Sequence, residues 1–216
     1  MHPKFFAALA VTLALFPSMA QAANSPELTY PTGTLLAAKS KIKATSTGYI
    51  KLTSGMEFGC FMAEFNGTLT SNNGTTLEAD IESSLVTGTT TTHKCIGSNI
   101  GEFTWTFGTA TNGMPWCLRS TSAMAADEFQ LRGGSCTAAQ RPIRFVWDTE
   151  SVGECVYERS GTMIGTFTTA PEDTVLTIAG QEFTRLSGSI LCPSNGKLDM
   201  TLTVTETSSG APTYMD

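Results

Sequence analysis

Residues 197–206, KLDMTLTVTE, set the tightest limit on what this 216-residue chain can become. Leu198, Met200, Leu202 and Val204 fall on one side of an extended backbone, and Asp199, Thr201, Thr203 and Thr205 fall on the other. Successive side chains of a strand point to opposite faces, so the run predicts a strand with one dry and one wet face. Residues 103–107, FTWTF, alternate in the same way. Leu77, Ala79, Ile81 and Leu85 do so opposite Glu78, Asp80 and Glu82. Thr is the commonest residue, and its branched Cβ favours strands over helices. The best helical pattern beyond residue 22, at 120–129 (STSAMAADEF), is short. Asn66-Gly67, Asn73-Gly74, Asn112-Gly113 and Asn195-Gly196 read as turns between the runs. The predicted class is all-β, an antiparallel sandwich or barrel.

The runs also recur in order. Cys60, Gly67-Thr68, Leu77 to Ile81, Val86-Thr87-Gly88 and Cys95 are echoed by Cys155, Gly161-Thr162, Val175 to Ile178, Leu186-Ser187-Gly188 and Cys192. Further on, Ser98-Asn99, FTWTF and GMPW match Ser194-Asn195, MTLTV and GAPTY. YIKLT (49–53) and IRFVW (143–147) precede the first cysteine of each copy. This order predicts an internal duplication: a first β unit over 23–116, a connecting seam over 117–140 and a second β unit over 141–216. Cysteine spacing alone leaves every connectivity open. Equivalent positions in two like copies should bond alike, which predicts Cys60–Cys95 and Cys155–Cys192. Cys117 and Cys136 are then left to close the seam.

Residues 1–22 read as a secretory leader. Lys4 supplies the positive start, FFAALAVTLALF the apolar stretch, and Ala20-Gln21-Ala22 the small-residue cleavage site. The apolar stretch falls short of a bilayer span, and the expected mature chain carries none. An even number of cysteines in an exported chain predicts disulfides. Net charge is −6, and loss of Lys4 with the leader makes it one unit more negative. Such a surface repels phosphate backbones, which argues against a nucleic-acid partner.

The chemistry-bearing residues are sparse. His93 would be the sole histidine after leader removal, and TTTTHKC gives it no nucleophile motif. No C-x-x-C pair suggests a metal site, and no cofactor is predicted. Glu78, Asp80 and Glu82 could gather carboxylates on one strand face, against a plainer reading as a solvated surface. Trp105, Trp116 and Trp147 could stack on sugars, but Trp105 and Trp147 fit a core better, and Trp116, between Pro115 and Cys117, is expected to pack on the seam disulfide. Arg119, Arg132, Arg141 and Arg144 give the seam a basic cast beside Asp127 and Glu128. Asn66-Gly67-Thr68 and Asn73-Gly74-Thr75 match the glycosylation acceptor pattern, beside the simpler reading as turns.

PWCLRS, EFQLRGGSC, RPIRF, GECVYERSGTMIGTF and CPSNGKLDMTLTV together resemble a group of secreted, β-rich bacterial proteins with no assigned activity. The resemblance spans most of the chain beyond the leader and implies an exported β protein, with no functional residue to carry over. A fainter likeness, in FGCFMAEFNGTLTSNNGTTLEADIES, is to secreted bacterial β proteins described as activators of alkane oxidation.

These readings point away from catalysis, toward a secreted structural, surface-associated or binding protein whose ligand the sequence does not name, with a cell-surface glycan or protein as the candidate partner. One alternative is a secreted hydrolase acting on glycans through paired carboxylates such as Glu78 and Glu154. Another is an extracellular fibre or coat subunit assembling through exposed strand edges. Export should cleave after Ala22, so N-terminal sequencing of the exported product should begin Ala23-Asn24. A product retaining residues 5–16 would refute the leader.

Overall fold

The computed structural model describes residues 25–46, 50–53, 57–87, 95–97, 101–107, 114–150, 152–168 and 173–215. The expected leader, His93 and Asn112-Gly113 lie outside them. Among the described residues there is no helix, and 120–129 form a strand end, a turn and the start of the next strand.

In chain order the strands begin with β1 (Leu28–Thr29), β2 (Lys41–Ser46), β3 (Ile50–Thr53), β4 (Glu57–Cys60), β5 (Met62–Asn72) and β6 (Thr76–Thr87). Next come β7 (Cys95–Gly97), β8 (Gly101–Phe107), β9 (Trp116–Thr121), β10 (Glu128–Gly133) and β11 (Ile143–Thr149). Then follow β12 (Gly153–Arg159), β13 (Met163–Phe167), β14 (Val175–Gly188), β15 (Asn195–Glu206) and β16 (Tyr214–Met215). β1 and β16 form a two-stranded ribbon, and the others join in one closed antiparallel system.

The long strands β14 and β15 run through its middle. Val175 to Ile178 pair with Thr203 to Met200, and Gln181 to Thr184 pair with Leu198 to Asn195. Between these stretches Ala179 and Gly180 stand against Asp199 alone, a β-bulge. Gly180 adopts φ 60°, which suits glycine, and its N–H donates to the Asp199 carboxylate at 2.6 Å. The extra residue reverses the inward face. Leu176 and Ile178 point inward before it and Phe183 after it, although Ile178 and Phe183 are an odd number of residues apart.

The two halves of this pair serve different rings. The early half of β14 leads through β13, β10, β9, β6, β5 and β2 to the late half of β15, closing an eight-stranded barrel. The late half of β14 leads through β12, β11, β8, β7, β4 and β3 to the early half of β15. The barrel core is chiefly aliphatic, with Ile42, Leu69, Leu77, Leu118 and Val204 buried. The second ring buries aromatics: Phe145 stacks on Tyr157 at 5.2 Å between centroids and meets Phe183 edge-on at 4.8 Å. Trp147 contacts Phe103 and Tyr157 in the same cluster.

The disulfides are Cys60–Cys95, Cys117–Cys136 and Cys155–Cys192, with Cα separations of 4.6, 4.7 and 5.9 Å. This is the pairing that equivalence of the copies predicts. The units expected over 23–116 and 141–216 nevertheless share one sheet. β15 pairs with β2 and β3, β8 pairs with β11, and the seam supplies β9 and β10 to the barrel wall. Three finer expectations are corrected. Leu85 faces outward and Val86 inward, because Glu82 has no partner on β5 and the face switches beyond it. Asn66-Gly67 lies within β5, where a Cβ on Gly67 would sit 2.8 Å from the Asp80 carbonyl oxygen. Asn195-Gly196 opens β15 and is no turn, whereas Asn73-Gly74 does form the β5–β6 turn.

A bulge in β5 between Leu69 and Ser71 brings Asn72 inside the fold. Its carboxamide accepts from Leu28 N–H at 3.0 Å and donates to the carbonyls of Leu28 and Leu36, both at 2.8 Å. The strap from Leu28 to Leu36 is thereby pinned with both leucines buried. Asn72→Ala should orphan these groups and destabilise the protein by about 3 kcal/mol. Denaturant unfolding should show a lower midpoint, and the Leu36 amide should exchange faster. An unchanged midpoint would show that the strap is held by its leucines alone.

Candidate functional site

The carboxylates that could have gathered on β6 are each engaged separately. Glu78 meets Arg119 at 3.2 Å, across the register that sets these two residues opposite each other. Asp80 accepts from the Cys136 backbone N–H at 2.6 Å. Glu82 accepts from the Thr68 hydroxyl at 2.8 Å and from Lys41 at 3.1 Å, which together hold its carboxyl below the ordinary carboxylate range. Asp80 also lies close to the sulfurs of Cys117 and Cys136, but those sulfurs are bonded to each other and offer no thiolate. Glu154 is exposed on β12, a strand that neither β6 nor β9 pairs with, so sheet pairing does not bring it to Glu78.

The aromatic and basic candidates divide between core and surface. Trp116 and Trp147 are 0% and 2% exposed, so neither ring can stack on an external ligand. Trp116 packs against Phe65 at 6.0 Å between centroids. Trp105 lies on β8, and its side chain is outside the described set. Arg132 donates to the carbonyls of Ser135, Cys136 and Ala138 and so shapes the seam loop. Arg144 pairs with Glu158 at 2.5 Å, and Arg141 is exposed.

The barrel interior offers little room. Two apolar cavities of about 20 and 30 Å³ lie among its side chains. A space of that size holds about one water, far below what a drug-sized ligand needs. Thr174 lines the smaller cavity, fully buried, and its hydroxyl lacks a hydrogen-bond partner among the described residues.

A roomier recess lies outside, on the β12–β14 face. A cleft of about 460 Å³ is lined by Glu158, Arg159, Ser160, Glu182, Thr184, Arg185 and Leu186. Its shape follows from a bulge: Val156 pairs with Ser187 and Tyr157 with Arg185, which leaves Leu186 opposite no residue of β12. Leu186 is 51% exposed as a result. Arg159 donates to the carbonyls of Thr162 and Glu182, and Arg185 to those of Ser189 and Cys192. Glu158 is engaged by Arg144, and Glu182 by Lys197 at 3.6 Å. Among the described residues, neither Arg159 nor Arg185 forms an ion pair with a carboxylate. Sequence reading did not single out this cleft. The available signal was the segment LSGSIL at 186–191, where large aliphatics sit among turn-forming residues.

Among the described residues, Glu206 is the carboxylate whose titration is most displaced. The alternation of β15 turns it inward, 4% exposed, and the following turn supplies its partners. Ser208 and Ser209 donate through backbone N–H groups at 3.1 and 2.8 Å and through hydroxyls at 2.8 and 2.7 Å. The Ser209 hydroxyl leads these donors in lowering the pKa from 4.5 to about 2. A carboxylate depressed on folding stabilises the folded state when ionised. That contribution is complete above pH 4.5 and is lost as pH falls toward about 2. Calorimetry should therefore show the unfolding midpoint dropping through this window. Glu206→Gln should lower the midpoint at neutral pH and flatten the drop, and an equally steep drop in the variant would refute the role.

Comparison of the chain with protein-family models, curated proteins and solved structures finds no match in any of the three.

Proposed function

We propose that this is an extracellular, non-enzymatic β protein that acts at a surface, through its exterior rather than through an internal cavity. The observation that carries the reading is the division between a filled interior and a built exterior cleft. Two small cavities lie within the barrel, while the β12–β14 face carries about 460 Å³ of recess beside exposed aliphatic residues. Three disulfides are compatible with an oxidising compartment, where they constrain the unfolded chain. Among the described residues no helix is long and apolar enough to cross a membrane.

The competing hydrolase reading would need two cooperating carboxylates flanking a substrate bond. Glu78 is committed to Arg119, and Glu154 stands on a strand of the other ring. The fibre reading would need free strand edges, yet among the described residues fourteen strands close on themselves and leave the β1–β16 ribbon outside.

The test is a screen of the exported product against polysaccharide, ester and peptide substrates, run beside Glu78→Gln and Glu154→Gln. Recovery from the extracellular or surface fraction, with no turnover that either substitution removes, is the expected result. Turnover that falls about a hundredfold in a variant of unchanged melting temperature, about 2.7 kcal/mol of transition-state stabilisation, would overturn the reading.

A further inference from the structure

We infer that the β12–β14 face docks on an anionic lipid surface, with Arg159 and Arg185 taking phosphate headgroups while Leu186, Ile190 and Leu191 enter the acyl boundary. This deepens the surface-associated reading above and rests on it.

The apolar part is unusual for a soluble surface. Ile190 is 91% exposed, Leu191 62% and Leu186 51%, all within six residues of chain. Their display comes from a held backbone. Cys192 is bonded to Cys155, and its N–H donates to the Ser189 carbonyl at 2.9 Å. The Leu191 N–H donates to the Ser189 hydroxyl at 3.2 Å, and the Tyr157 hydroxyl to the Pro193 carbonyl at 2.8 Å. A tip ordered before contact loses little conformational entropy on docking. Adjacent exposed aliphatics on such a tip mark an interaction site.

The charge pattern selects the partner. Arg185 reaches beneath the loop to the carbonyls of Ser189 and Cys192, which places a guanidinium at the base of the Ile190–Leu191 tip. Arg159 shares the cleft with it. Each guanidinium has five N–H donors, and the carbonyl bonds leave some of them unused on both residues. The two cleft carboxylates are already met by Arg144 and Lys197. The cleft and its immediate partners are therefore net basic on a chain whose overall charge is −6. Cations set behind protruding aliphatics match the layering of a bilayer boundary, with acyl chains inside and phosphates above them. The acidic remainder of the chain would be repelled by the same surface, so only this face should approach it.

Co-sedimentation of the exported product with phosphatidylcholine vesicles, with and without phosphatidylglycerol, tests the inference. Binding should require phosphatidylglycerol and weaken with salt. The double variant Ile190→Asp/Leu191→Asp, at positions too exposed to trouble folding, should bind roughly tenfold less. Inorganic phosphate alone should leave the melting temperature unchanged. Absence of vesicle binding, or equal binding by the variant, would overturn the inference. So would a phosphate-induced rise in melting temperature without vesicle binding, which marks a free-anion site. Self-association in lipid-free solution that the double variant abolishes would assign the face to a second copy instead. If vesicles fail while the substrate screen stays silent, docking alone is wrong; turnover that Glu78→Gln or Glu154→Gln removes would sink the functional reading whatever the vesicles do.

Discussion

The ladder between β14 and β15 belongs to both rings, and its bulge at Ala179 and Gly180 decides which half of each strand serves which ring. Were Ala179 and Gly180 both paired in a regular ladder, β14 would keep its even-numbered residues inward along its whole length. Phe183 would then be carried to solvent while Leu176 and Ile178 stayed inside. The second ring would lose the phenyl group that meets Phe145. A single inserted position thus couples the aliphatic barrel to the aromatic cluster. Gly180 makes it tolerable by accepting a left-handed backbone, and Asp199 satisfies the N–H that the ladder leaves over.

Bulges do comparable work elsewhere in the sheet. One brings Asn72 into the interior to hold the Leu28–Leu36 strap, another turns Leu85 outward, and a third pushes Leu186 into the exterior cleft. Each breaks the period of two for a local purpose. Buried polar groups at such positions need partners, and the fold supplies them. Asn72 binds three backbone groups, and Glu206 at the end of β15 binds four donors from one turn.

The residues that look most like chemistry in the sequence serve structure here. The acidic row of β6 is spread over an arginine, a backbone amide and a lysine with a threonine. Trp116 and Trp147 are interior packing. The cleft between β12 and β14 draws its lining from residues of ordinary appearance, including two arginines whose hydrogen bonds run to carbonyls. Its distinctness lies in how those residues are assembled.

Local pattern and order carried a large part of the outcome. The period-two runs determined the all-β class, and the runs at 143–147 and 197–206 became β11 and β15, the second with Leu198, Met200, Leu202 and Val204 inward as expected. The recurrence of cysteines in similar sequence surroundings pointed to Cys60 with Cys95 and Cys155 with Cys192, and these are the pairs observed. Neither property needs knowledge of which strands lie side by side. Strand neighbours, bulge positions and the exterior cleft do need it. Whether Asn66-Gly67 turns or stays in a strand depends on a carbonyl of β6 lying 2.8 Å from where a Cβ would be. Whether Leu85 points in or out depends on the strand paired beside it. Alternation is a property of one strand and is written in sequence, whereas register is a relation between two strands and is decided only when they meet.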